Sequence, residues 1–282
     1  MSVNQKFTVI PFASPVQGRI LEVLAKGPID GIDLLVQVNK KSPVSKQGLY
    51  KALRELLQTE TIIKNKRIFI LSKVWLSRVK DFIEHAEQEL GISLPFLENS
   101  FTGRKIIAFK NTETLDIYWG HLFLTLAEKL KNKPFFFFNH HSWFIYDRPH
   151  SEEYLYKVAS KRKHRVMVTL GNNTALDKEF KKRFSKENIQ ITIDEKLNVR
   201  KTDYLCVVDD YFITTRYDKK AMGEIDALFQ KISSFGDRET KELKKILSKC
   251  KKPKIIIIKN KQKADMWKHR LARNFVIKKS EL

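Results

Sequence analysis

Apolar positions in this chain follow two periods, and where the period changes marks the elements. Between residues 42 and 71, Leu49, Leu53, Leu56 and Leu57 fall at i, i+4, i+7 and i+8, which predicts a helix with one apolar side. That spacing leaves Lys46, Gln47, Tyr50, Lys51 and Arg54 on the opposite side. Ser42 is placed to cap the helix, and Pro43 to sit in the first turn, where a missing amide hydrogen costs nothing. After Leu57 the pattern becomes β-like. Thr61-Ile62-Ile63 and Ile68-Phe69-Ile70-Leu71 flank the polar turn Lys64-Asn65-Lys66-Arg67, a hairpin signal. Upstream, residues 16–26 predict a helix with Val16, Ile20, Val23 and Leu24 inward, ended by Gly27-Pro28. A second short helix starts at Asp30 or Asp33 and carries Leu34, Leu35 and Val38.

Three helices and a hairpin in about sixty residues predict a winged helix-turn-helix spanning 1–73. Residues 74–90 then place Leu76, Val79, Ile83, Ala86 and Leu90 at alternating spacings of three and four, the seam of a coiled coil. This reads as a dimerisation helix, with packing onto its own winged helix or onto the following domain as the competing reading. Residues 91–103 break the pattern, so 74–103 is the expected linker segment. Beyond Arg104 the chain alternates. Strands are predicted at 105–109, 135–138, 165–170, 189–193, 204–208, 211–215 and 254–258. Helices are predicted at 115–130, 152–163, 176–184, 222–232, 239–247 and 264–275, the first with Leu115, Trp119, Leu122, Phe123 and Leu126 inward. The expected fold is therefore a two-domain α+β and α/β chain whose second domain, 104–282, is an α/β sandwich. Its apolar runs imply a largely buried sheet between helices.

Composition changes the picture chiefly through charge. The formal net charge is +22 with a pI near 9.8, far beyond what solubility needs, so a polyanionic partner is the simplest explanation. A solvated basic surface is the competing one. Residues 1–75 hold twelve Lys and Arg against five Asp and Glu, so about +7 falls on the first module and +15 on the rest. The excess is not a tail. Two cysteines without CxxC or Cys/His spacing argue against a disulfide framework and a structural zinc. No apolar run approaches the ~20 residues of a membrane span, and the N-terminus lacks the order of a secretory signal. The expectation is a cytoplasmic, nucleoid-associated protein with no membrane partner.

Candidate chemistry is sparse. Glycine-rich phosphate loops, GxSxG and a recognisable Cys/His pair are all missing, so no cofactor and no catalytic residue is assigned. Gly171-Asn172-Asn173, between a strand and a helix, reads as a turn. His140-His141 ends a strand at the edge where open α/β sheets place ligands. With Asp209 and Arg216 these histidines form the candidate ligand pocket for a small-molecule effector; no metal is assigned. Asp209-Asp210 reads as a β-turn pair, and His164 as part of the solvated run Lys161-Arg162-Lys163.

The element order from HRVMVTLG through DKEFKKRF and IQITI to a strand, an Asp-Asp turn and a strand resembles one phospholipase D-like repeat. That family carries HxKxxxxD on its two strands. Aligning Asp209 with the motif's aspartate puts Thr202 at the histidine and Tyr204 at the lysine, with Thr214, Thr215 and Arg216 near the Gly-Ser segment. A threonine offers no imidazole lone pair and a tyrosine no fixed positive charge, so the resemblance implies a non-catalytic domain. A winged helix, a linker helix and such a domain together resemble the TrmB-like transcription regulators. The resemblance implies a regulator that binds double-stranded DNA. Lys46, Gln47, Tyr50, Lys51 and Arg54 would enter the major groove, while Lys64, Lys66 and Arg67 contact phosphate or the minor groove. The apolar seam adds the expectation of a homodimer through 74–90. Two other classes stay open: a nuclease-like enzyme using Asp209, Asp210, His140 and His141, and an RNA- or ribosome-associated basic protein.

Overall fold

In the computed structural model, which describes residues 14–40, 42–92, 101–131 and 133–277, Ser14 begins the first helix by accepting the Gln17 amide hydrogen. The chain divides into two compact units, Met1–Leu94 and Pro95–Leu282. Helix α1 (Pro15–Leu24) is followed by β1 (Ile29–Asp30), α2 (Gly31–Asn39) and α3 (Lys46–Gln58). Between α1 and β1 the chain turns at Gly27, whose φ of +141° suits a residue without a Cβ. Asp30 caps α2, its Oδ1 accepting from the amides of Ile32 at 2.7 Å and Asp33 at 3.1 Å.

Helix α3 begins three residues later than the sequence pattern suggests, and its cap is Ser45, not Ser42. Ser45 Oγ accepts the Gly48 amide at 3.0 Å. Ser42 is occupied otherwise: its carbonyl accepts from the Arg19 guanidinium at 2.7 Å, while Asn39 Oδ1 takes the Val44 amide at 2.6 Å. These bonds hold the chain around Pro43 outside the helix. On α3, Leu49, Leu53 and Leu56 are buried with Ile20, Leu34, Val38 and Ile62 in the core of this unit. Gln17 of α1 donates to Glu55 at 2.7 Å and ties the first helix to the third.

The hairpin pairs β2 (Ile62–Asn65) with β3 (Ile68–Leu71), from Ile62 opposite Leu71 to Asn65 opposite Ile68, so Lys66-Arg67 is a two-residue turn. The sequence reading missed β1, which pairs with β3 and completes a three-stranded sheet of order β1-β3-β2. Two residues are too short to show a period. Helix α4 (Lys73–Ile92) follows, with Trp75 packed on the core of the unit. Beyond it the predicted seam is open to solvent at Leu76 and Ile83, as is the neighbouring Phe82. The Leu90 side chain, and most of the 91–103 break, lie outside the described residues.

The second unit is a seven-stranded sheet of order β4-β10-β9-β8-β5-β6-β7. Its strands are β4 (Gly103–Ala108), β5 (Phe135–Asn139), β6 (Val166–Leu170), β7 (Ile189–Ile193), β8 (Asp203–Val208), β9 (Tyr211–Arg216) and β10 (Lys254–Lys259). Strands β5, β6 and β7 are parallel and the other pairings antiparallel. The helices are α5 (Thr112–Lys129), α6 (Phe144–Asp147), α7 (Pro149–Lys161), α8 (Ala175–Phe184), α9 (Lys219–Lys231), α10 (Asp237–Ser248) and α11 (Lys261–Ala272). Phe136 and Phe138 pack with Leu271 and Ala272 of α11 on one face, and the rings of Phe135 and Phe137 meet Phe123 of α5 on the other. The sheet is less enclosed than expected, because β4 is an edge strand exposed at nearly every position. The one-turn α6, too short to read from periodicity, was not expected.

Replacing Ser45 with Ala removes a cap bond worth about 1 kcal/mol, so α3 amide hydrogens should exchange roughly fivefold faster in the variant. Ser42→Ala should leave their exchange unchanged. The opposite ranking in a hydrogen-exchange experiment would return the cap to Ser42.

Candidate functional site

On α3 the helical period separates two kinds of side chain. Lys46, Gln47, Tyr50, Lys51 and Arg54 are all exposed, and none makes a hydrogen bond or ion pair among the described residues. Lys64, Lys66 and Arg67 are exposed around the hairpin turn, with the Lys64 ammonium 5.5 Å from the Phe69 ring centroid. Lys66 has φ +53°, a left-handed conformation that a residue with a Cβ adopts at a cost of roughly 1 kcal/mol. The amino-terminal unit thus presents a cationic helix face and a cationic hairpin tip. The arrangement can do electrostatic and hydrogen-bonding work on a polyanion.

In the second unit the four predicted pocket residues do not converge. His140 and His141, at the carboxyl end of β5, line a cleft of about 430 Å³ with Gly171, Asn172, Lys201 and Asp226. Arg216 lies at the same end of the sheet but in a separate cleft, where Nε and Nη2 each donate to Asp203 at 2.7 Å. Asp209 is at the opposite end: β8 and β9 pair Asp203 with Arg216 at one end and Val208 with Tyr211 at the other, roughly 17 Å away. There it occupies the tight turn with φ +48° and pairs with Lys133 at 3.1 Å. Asp209 therefore does not belong to the pocket, because strand length separates it from the histidines.

The cleft has an acidic frame that the sequence reading did not identify. His141 is 2% exposed and sits between Asp177 Oδ2, 3.0 Å from Nδ1, and Asp226 Oδ1, 3.1 Å from Nε2. An imidazole can donate to both carboxylates only with a proton on each nitrogen. Asp177 also accepts from the Thr174 hydroxyl at 2.7 Å and its amide at 3.2 Å, closing a capping box at the start of α8. Burial would raise the Asp226 carboxyl, but the His141 hydrogen bond and the Lys201 charge outweigh it and hold it below its usual range. His140 is pushed down mainly by burial, against the hydrogen bond from Nε2 to the Arg200 carbonyl at 3.0 Å. Gly171 is required at the cleft wall: a Cβ there would lie 2.6 Å from Phe138 Cζ and 3.2 Å from His140 Nδ1.

The residues aligned with the phospholipase D motif are engaged elsewhere. Thr202 Oγ1 donates to Asp203 at 2.9 Å. The buried Tyr204 hydroxyl accepts from Trp143 Nε1 at 3.1 Å and the His141 amide at 3.4 Å. Burial pushes its phenol far above the usual range. Among the described residues no group of three or more His, Cys, Asp or Glu is arranged to hold a metal ion. His164 is buried at 3% exposure, edge-on to Phe135, rather than solvated with its basic neighbours. Position after α7 overrides composition there.

A second cavity, of about 70 Å³, lies among α5, α7 and the sheet, with Asp116 and Glu152 in its lining. Each is 7% exposed. The signal was in the sequence: Asp116 shares the inward stripe of α5 with Trp119 and Phe123, and Glu152 that of α7 with Tyr156 and Ala159.

No family model matches the chain, and no curated protein matches it. Among solved structures it is similar to the one described as "Structure of TrmBL2, an archaeal chromatin protein, shows a novel mode of DNA binding", at 11% identity over 92% of each chain and a TM-score of 0.37. A likeness this slight carries no argument about function. No helix among the described residues is long and apolar enough to cross a membrane.

Burial raises the Glu152 carboxyl to about 7 from an ordinary value of 4.5. Such a group is protonated in the folded chain and ionised in the unfolded one between those values, so its cost to stability appears as pH rises from 4.5 and is complete above 7. Glu152→Gln should therefore gain stability over the parent between pH 5 and pH 8, by something on the order of 3 kcal/mol. Urea unfolding at both pH values tests this; a difference independent of pH would place the carboxyl in water.

Proposed function

We propose that the amino-terminal unit is a winged helix-turn-helix that binds double-stranded DNA, in a transcription regulator of the TrmB-like layout. The observation that carries the reading is the partition on α3: its leucines are buried in the unit's core while five polar residues stand exposed and unengaged. A helix docked by one side and free on the other is what a major groove admits, and Gln, Lys and Arg are the side chains that read adenine and guanine edges there. The hairpin supplies phosphate contacts. Keeping a lysine at the strained φ of Lys66, where glycine or asparagine would sit at less cost, supports a use for its charge.

In this reading the carboxyl-terminal unit is non-catalytic and serves effector binding or oligomerisation. Support comes from Tyr204, whose buried hydroxyl is already accepting two hydrogen bonds, and from Thr202, which cannot replace a nucleophilic imidazole. The open side of α4, with Leu76, Phe82 and Ile83 each about 40–50% exposed, supports a dimer through 74–90. If that helix pairs two copies, Ile83→Glu should convert a dimer to a monomer in sedimentation equilibrium; an unchanged mass would remove α4 from the interface.

Six cations on α3 and the hairpin, if all meet phosphate, give a slope of about −5 in log K against log salt. Lys66→Ala should flatten it by about one, uniformly across sequences. The double variant Lys46→Ala, Arg54→Ala should abolish preference for a selected duplex over random duplex without changing the melting temperature. Filter binding with duplex DNA and structured RNA as competitors checks this, with the duplex recovered intact after incubation with Mg²⁺. Preferential RNA binding or cleavage would replace the regulator with one of the other two classes.

A further inference from the structure

Two buried carboxylates in a chain of net charge +22 are left unexplained by the fold. Asp116 Oδ1 accepts the Tyr217 hydroxyl at 3.3 Å, but its Oδ2 is buried with no hydrogen-bond partner. The Glu152 carboxylate makes no hydrogen bond or ion pair among the described residues. Both line the 70 Å³ cavity, whose inner walls are largely the rings of Trp119, Phe123, Phe137 and Phe144. Phe137 is the one phenylalanine of β5 that is not fully buried, since it faces this space. On the other side, Asp116, Leu155 and Glu152 also line an outer groove of about 470 Å³. The carboxylates therefore stand at the junction of an aromatic interior and an open groove.

We propose that this cavity binds a short primary alkylammonium ion, its carbon chain among the aromatic rings and its ammonium group between Asp116 and Glu152. The inference deepens, and rests on, the reading of the carboxyl-terminal unit as a ligand-binding module. Water has polar partners here in Tyr156, Tyr204, Thr215 and Tyr217, which also line the cavity, but it brings no charge to the two acids. An anion is excluded by the two acids, and a neutral ligand would leave Arg148 as the one positive charge acting on both. An ammonium supplies donors for the orphaned oxygens, and aromatic faces within reach attract the same charge. Size limits the chain to roughly two to four carbons, since an engineered cavity of about 150 Å³ holds benzene. Burial raises both carboxyls, Asp116 well above its ordinary range. Asp147 and Arg148 are the other charges acting on the pair, and the Arg148 guanidinium favours a single ammonium over a dication.

The test is titration of the full-length protein at pH 8 with n-propylammonium chloride, followed by calorimetry and by tryptophan fluorescence, since Trp119 lines the cavity. Saturable binding is expected, about tenfold or more tighter than for 1-propanol or ammonium chloride. Asp116→Asn and Glu152→Gln should each weaken it about tenfold or more without lowering the melting temperature of the amine-free protein, because each removes a buried charge. The proposal is overturned if propylammonium shows no saturation, if 1-propanol or ammonium binds as tightly, or if neither substitution changes the affinity. Amine binding that leaves duplex affinity unchanged would remove the effector role while keeping the site.

Discussion

The second unit depends on one constraint: a β-strand sends consecutive side chains to opposite faces, and β5 is four phenylalanines in a row. Phe136 and Phe138 must go to the face covered by α11, and Phe135 and Phe137 to the face covered by α5. Because β5 is flanked by β6 and β8, both of its faces need cover, and the helices that supply it define the layers. The same strand, where it ends, delivers His140 and His141 to the cleft. Phe137 is the exception that gives the unit its cavity. Two acids stand over the space it faces, and a carboxylate cannot close against an aromatic ring as a leucine would.

Charge is distributed on opposite principles in the two units. In the first, the cations of α3 and the hairpin are exposed while the leucines are inside, so the helical period alone separates charge from the burial that docks the helix. In the second, carboxylates are drawn inward. Asp177 is fully buried and does three things at once: it caps α8, accepts from Thr174 and holds His141. Only the loss of all three would leave this charge with neither water nor a partner. Asp116 lacks such a set of partners, and this contrast makes it the more informative of the two acids.

Much of this was legible in the chain because it depends on local spacing. The α3 leucines and the strand at 189–193 repeat at the period of the element they form, the hairpin runs flank a polar turn, and FFFF and IIII are continuous apolar runs of buried strands, so neighbours in sequence are enough to place them. Boundaries slipped where a distant group intervened. Arg19 and Asn39 hold the turn around Ser42 and Pro43, so the cap of α3 falls to Ser45. A two-residue strand and a one-turn helix are too short for any period.

Sequence alone therefore determined which side of each element is apolar, the cationic face of α3 and the cationic hairpin tip, and the presence of Thr202 and Tyr204 where the resemblance would need a histidine and a lysine. Only the tertiary structure decided which titratable groups share a space. It moved Asp209 to the far end of the sheet from His140, put Arg216 in its own cleft on Asp203, buried His164, and brought Asp116 to Glu152 and His141 to Asp177 and Asp226. The reason is physical. Periodicity is set within a few residues by backbone geometry, whereas a pocket is made by residues tens of positions apart, whose meeting depends on strand order and helix placement.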